Sequence, residues 1–136
     1  MYFFDASAIV NLIKKGSASL LSEGLTLDLA IYECFNVVWK EYKLLKKLDE
    51  ETASSFIKII SDALSIIRMD SIKGSENEVF DLACREGLTI YDASYLHASM
   101  KMQATLITDD RKLREKGSKY IKVLSTEQLI QASGRK

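Results

Sequence analysis

The chain has 136 residues, 47% of them hydrophobic and 28% charged, with 19 basic side chains against 19 acidic ones. That size suits one domain with a real core, and the balanced charge excludes the strong positive field on which many non-specific nucleic-acid binders rely. The longest apolar runs fall far short of the roughly 20 residues that a membrane span requires, so no membrane segment is expected.

Residues 1–4 form a short apolar run suited to a buried strand, and the pattern SAIVNLIKK over 7–15 predicts a helix behind it. A second run at 25–30 leads into a long helix in which Phe35, Val38, Tyr42 and Leu45 share a face and Lys40, Lys43 and Lys47 lie around the other side, ending near Lys47. Residues 49–63 read as a helix capped by Asp49, with Phe56, Ile59, Ile60 and Ala63 as its apolar stripe. The segment LSIIRM at 64–69 reads as a strand. Ser75 opens a helix through Glu86, with Glu78 at capping-box spacing and Gly87 as the stop. Beyond it come a helix at 91–101, a strand at 104–108, a short helix at 111–116 closed by Gly117, a strand at 121–124 and a last helix at 126–132. The alternation predicts an α/β fold: a three-layer α/β/α sandwich around a mainly parallel sheet of four or five strands.

With no proline, no Gly/Ser tract and no repeat, nothing marks a linker, so 1–132 reads as a single domain and 133–136 as a loose tail. The N-terminus starts on a strand without the pattern of a secretory signal, which leaves a cytoplasmic location as the expectation. Cys34 and Cys84 have no CxxC spacing and no neighbouring histidine, so both are expected to be small buried packing residues.

Four segments each deliver acid: YFFDAS carries Asp5, AIYECFN carries Glu33, TIYDASY carries Asp92, and TLITDDR carries Asp109 and Asp110. Ligands of parallel sheets bind outside the carboxyl ends of the strands, at the point where strand order reverses. Asp5 and Asp110 lie at such ends and meet if their strands are central neighbours. Glu33 and Asp92 come from the first turns of helices that face the same crevice. Taken singly, each aspartate can equally be a helix N-cap and Glu33 an exposed first-turn charge. Taken together, four acids in one pocket repel one another unless a cation compensates them.

FDASAIV, the ECFN segment, YDASYLHA and LITDDRKL resemble, in order and spacing, the four acidic motifs of PIN domains, and the compact length resembles the VapC toxin ribonucleases of toxin–antitoxin pairs. The resemblance spans residues 2 to about 125. It implies a PIN-like fold, a metal-dependent endoribonuclease, an acidic site of Asp5, Glu33, Asp92 and Asp110, a cognate antitoxin and a homodimer. Ser7 and Thr108 match small hydroxyl positions near the acids, and Asn36 matches a polar residue one turn after the glutamate. The family places its fourth acid two residues after the threonine, which selects Asp110 and leaves Asp109 as a ligand, a cap or a solvated charge. His97 stands where the family more often has an apolar residue, and at helical spacing it points away from Asp92.

An all-oxygen cluster suits Mg²⁺ or Mn²⁺. Such an ion would turn bound water into a hydroxide nucleophile for in-line attack on a phosphodiester. Asp5 and Asp110 are the expected direct ligands, Asp92 a direct or water-mediated one, and Glu33 either a ligand of a second ion or a group that orients water. Arg111, Lys112 and Arg114 after the fourth acid, and Lys14 and Lys15 at the end of the first helix, are candidates to hold the RNA backbone. Two other classes remain: a non-catalytic binding module on the same fold, and a phosphoryl-transfer enzyme that uses Asp5 as a covalent nucleophile.

Overall fold

The computed structural model describes residues 1–134. Among them five strands form one all-parallel sheet: β1 (Tyr2–Phe4), β2 (Gly24–Leu27), β3 (Arg68–Asp70), β4 (Thr105–Ile107) and β5 (Val123–Leu124), in the order β3-β2-β1-β4-β5. Parallel neighbours cannot be joined by a tight turn, and helices fill the crossovers. These are α1 (Ala6–Lys14), α2 (Leu29–Trp39), α3 (Glu50–Ile66), α4 (Glu76–Glu86), α5 (Ile90–Met102), α6 (Arg111–Gly117) and α7 (Thr126–Ala132). The α/β sandwich expected from the alternation is the fold observed.

Successive strand residues face opposite sides and seed two cores. Phe4 and Ile107 pack with α1, α2, α3 and α7, while Phe3, Leu25, Leu27 and Leu106 pack with α4, α5 and α6. Because both faces are covered, the central strands read as continuous apolar runs. The register sets Tyr2 opposite Gly24. A Cβ at Gly24 would stand 2.1 Å from the Tyr2 carbonyl oxygen, so the two strands come this close only because residue 24 has no side chain.

Four local differences from the sequence expectation have physical causes. The LSIIRM segment is not a strand: α3 continues to Ile66, because Ile60, Leu64 and Ile67 extend its buried stripe, and β3 starts at Arg68. The helix expected to run to Lys47 leaves α geometry at Lys40 and finishes in a π-wound turn, Lys40–Leu44, after which Lys46 takes a positive φ of 51°. Residues Ala18–Glu23 form a 3-10 turn that buries Leu20 and Leu21, which periodicity alone does not detect. Ser75 makes no side-chain cap, whereas Ser125 and Gln128 form a full capping box at α7. Gly87 stops α4 with φ 67°, as its position implies. Ser133 and Gly134 form a turn after α7, and Arg135 and Lys136, the rest of the expected tail, lie outside the described residues. No helix among the described residues is long and apolar enough to cross a membrane.

Candidate active site

Chain order runs from β1 out to β2 and β3 on one side, then returns to β4 and β5 on the other, so the reversal falls between β1 and β4. These strands are direct neighbours, with Phe4 paired to Ile107. The residues just beyond them, Asp5 and Thr108 to Asp110, therefore emerge together at the carboxyl edge, where such sheets open a crevice. A cleft of about 260 Å³ lies there, lined by Asp5, Ser7, Glu33, Asn36, Asp92, Tyr95 and Asp110. All four candidate acids thus share one cleft, Asp5 from the β1–α1 junction, Glu33 from the second rather than the first turn of α2, Asp92 from the first turn of α5 and Asp110 from the β4–α6 junction.

Asp5 caps α1 and lines the cleft at once. Its Oδ1 accepts from Ala8 N at 2.8 Å and from Ser7 Oγ at 2.7 Å, while Oδ2 accepts from the Thr108 hydroxyl. Burial pushes its pKa up to about 7; the bonds from Thr108, Ser7 and Ala8 work against the rise, and the charge of Asp92 adds to it. Asp110 caps α6 through Leu113 N at 2.8 Å yet stays exposed, and its own N–H donates to Thr108 Oγ1 at 3.0 Å. Thr108 thereby ties the two strand-end aspartates together from beneath.

Asp92 is not a cap, because Thr89 takes that role and accepts from Asp92 N at 3.1 Å. Its pKa is pushed up to about 6, first by burial and then by Asp110 and Glu33, with Lys112 opposing. Glu33 is half-buried and its pKa is raised by burial, moderated by a 2.8 Å hydrogen bond that the Tyr95 hydroxyl donates to its Oε1. Tyr95 was not evident as a site residue in the sequence, although it lies three residues after Asp92 and so on the same helical face.

The remaining candidates divide. Asp109 turns away from the cleft: its carboxylate accepts from Asn11 Nδ2 at 2.7 Å, Thr126 N at 2.8 Å and Thr126 Oγ1 at 2.7 Å, binding α1 and the start of α7 to the β4 end. Burial resists its ionisation, but the Thr126 and Asn11 bonds and the charge of Lys15 outweigh it and hold its pKa low. Lys14 pairs with Glu41 and lies over the Phe56 ring, and Lys15 donates to Thr126 Oγ1 at 3.0 Å. Arg111 pairs with Glu115 at 3.2 Å, and Arg114 reaches the Thr108 carbonyl at 3.4 Å. Lys112 is the basic candidate whose charge acts on a cleft acid, Asp92. His97 is half-buried and does not line the cleft. Cys34 is buried, its thiol pushed up to about 12 by burial and then by Glu33 and Asp5, which keeps it an inert packing group as expected. Cys84, expected to be buried, is exposed.

The donor set is oxygen throughout, and two of its carboxylates are held far above the usual range, Asp5 by burial and then Asp92, and Asp92 by burial and then Asp110 and Glu33. A divalent cation would relieve that repulsion. Among the described residues no three acidic, histidine or cysteine side chains are grouped closely enough to enclose an ion by themselves. A hard cation held by one or two carboxylates, with waters and substrate phosphate oxygens completing its shell, needs no such enclosure.

Three comparisons bear on this cleft. A family model described as PIN domain matches residues 2–119. "Ribonuclease VapC3" of Pyrobaculum aerophilum is 33% identical over 120 residues, covering 82% of this chain and 91% of that protein. "Exonuclease VapC9" of the same organism is 34% identical over 90 residues, covering 66% of this chain and 64% of its own length. The crystal structure of PAE2754 from Pyrobaculum aerophilum superposes with a TM-score of 0.78 at 30% identity, over 98% of this chain and 96% of that one.

Proposed function

The chain belongs to the PIN-domain family and is VapC-like, and from that premise we propose that it is a divalent-metal-dependent endoribonuclease, the toxin of a toxin–antitoxin pair acting in the cytoplasm. The observation that carries the reading is the meeting of Asp5, Glu33, Asp92 and Asp110, from four separate elements, in one cleft at the strand-order reversal. A bound Mg²⁺ or Mn²⁺ supplies Lewis-acid activation of water and neutralises charge on the scissile phosphodiester. Asp5 and Asp110 would hold the ion, Asp92 would bind it directly or through water, and Glu33 would either hold a second ion or orient the attacking water. Ser7 and Thr108 fix the Asp5 carboxylate through its two oxygens. Lys112, beside Asp92, meets the RNA backbone at the rim.

Within residues 30–63 the apolar side chains that stand exposed beyond Trp39, among them Tyr42, Leu44, Ile57 and Ile59, support a protein partner there, which we assign to the antitoxin and to a second copy of the chain.

The test is cleavage of mixed structured and unstructured RNAs by the purified protein with Mn²⁺, Mg²⁺ or chelator, beside Asp5→Asn. Metal-dependent cleavage that Asp5→Asn loses is the expected result, and cleavage of a covalently closed RNA circle distinguishes internal cutting from attack at an end. No binding of either ion by calorimetry would remove the basis of the reading.

A further inference from the structure

Beside the acidic cleft lies a second, larger depression of about 760 Å³, walled by Tyr32, Phe35 and Trp39 of α2 and by Tyr91 at the start of α5. Glu33 and Asn36 line both, so the two depressions share a wall and lie side by side. Three of the rings stand well out of the protein, Tyr32 at 77%, Tyr91 at 57% and Trp39 at 51% exposure. On α2 the side buried in the core is Ala30, Cys34 and Val38. Tyr32, Asn36 and Trp39 recur at helical spacing on the other side and stand clear of the core, while Phe35 beside them packs in part against it.

Resting on the nuclease reading above, we propose that this aromatic depression is a stacking subsite for unpaired nucleobases of the RNA strand whose phosphodiester lies in the acidic cleft. The wall shared through Glu33 and Asn36 sets it within reach of the nucleotides next to the scissile bond. Its lining carries no lysine or arginine and one carboxylate, Glu33, so it repels backbone phosphate and accepts uncharged flat faces. Aromatic side chains stack bases with little regard to sequence, because every base has a π face. The Asn36 amide, between the two depressions, offers a donor and an acceptor to a base edge. Bases inside a duplex are already stacked and present no free face, so the subsite selects single-stranded RNA.

Trp39 is the sole tryptophan of the chain, so its fluorescence reports on this depression and on the neighbouring groove toward Tyr42 and Ile57, and the Tyr32 variant separates the two. The experiment titrates Asp5→Asn protein in Mg²⁺, which does not cut on the nuclease reading, with a labelled single-stranded oligoribonucleotide, its abasic counterpart and a duplex of equal length. Saturable Trp39 quenching by the single strand alone is expected. Tyr32→Ala, at a site too exposed to threaten the fold, should weaken binding and lower kcat/KM for single-stranded RNA by roughly five- to hundredfold. Mn²⁺ affinity of the same variant should match that of the unaltered protein, because Tyr32 does not line the acidic cleft. RNA that binds by anisotropy, or is cut, while Trp39 stays unquenched and Tyr32→Ala is silent would overturn the subsite and leave the nuclease standing. A Trp39 signal that follows protein concentration without RNA, with dimers in sedimentation, would assign the depression to a second copy instead. Failure of every RNA to be cut with either metal would sink the parent reading, and the subsite with it.

Discussion

The Tyr95 hydroxyl, on a side chain only 1% exposed, donates a 2.8 Å hydrogen bond to Oε1 of Glu33 across 62 residues of sequence. Glu33 is thereby held by α5, the helix that also carries Asp92, so two of the four acids share one mount. Tyr95→Phe keeps the ring and removes the donor. It should cost about 1 kcal/mol of stability, since water replaces the bond only in part at a half-buried carboxylate. Glu33 then loses the bond that moderates its raised pKa, and Mn²⁺ affinity at neutral pH should fall. Thermal unfolding with calorimetric metal titration of the Phe variant measures both; unchanged affinity would show that Glu33 does not contribute to the ion.

Asp5 makes the metal-free protein less stable as pH rises. Its folded pKa of about 7 lies above the ordinary 3.8, so between those values the folded state binds more protons than the unfolded one. Its contribution to stability is full below about pH 4 and is lost as pH climbs through 7. Asp5→Asn keeps an acceptor for Ala8 N and carries no charge to desolvate. The variant should therefore melt several degrees above the unaltered protein at pH 8 in chelator, with the difference closing toward pH 4. Added Mn²⁺ should reverse the order at pH 8, because only the unaltered protein gains the ion. Melts at the two pH values with and without metal decide it.

Protons and metal compete for the same oxygens. Asp92 at about 6 and Asp5 at about 7 lose their protons in the range where most enzymes are assayed, so cleavage should rise with pH through 6 to 7. Raising the metal concentration tenfold should move the midpoint of that rise to lower pH. A pH profile indifferent to metal concentration would place the controlling ionisation elsewhere, on the attacking water or the leaving group.

The sequence revealed the acids at the strand ends because an apolar run that stops at an aspartate has one geometrical meaning in a parallel sheet: Phe4 and Ile107 go inward, and Asp5 and Asp110 come out at the edge. The LSIIRM segment misled for the opposite reason. Short β-branched runs suit a strand or a buried helix turn alike, and here the packing of Ile60, Leu64 and Ile67 against one core decided for helix. Partners distant in the chain left no local trace. Asn11 and Asp109 are 98 residues apart, and nothing near either announces the other. Tyr95 reads as one more apolar residue of α5 until Glu33 is placed opposite its hydroxyl.

Adjacent aspartates 109 and 110 should prove unlike in every assay. Asp109 satisfies two donors of Thr126 and one of Asn11, joining α1, β4 and α7. Asp109→Ala strands these groups in a part-buried setting and should cost about 2–3 kcal/mol, while metal affinity of the remaining folded protein stays within about twofold. Asp110→Asn retains the α6 cap and should leave the melting temperature nearly unchanged, yet it removes a cleft carboxylate and should abolish metal-dependent cleavage. Asp110→Asn should also lower the pKa of Asp92, because the second-largest cause of its rise is the charge of Asp110. Melts, Mn²⁺ titration and a carboxyl NMR titration of the two variants separate a structural aspartate from a functional one. Equal loss of metal binding in both would mean that the Asp109 clamp itself sets the geometry of Asp110, through the single peptide that joins them.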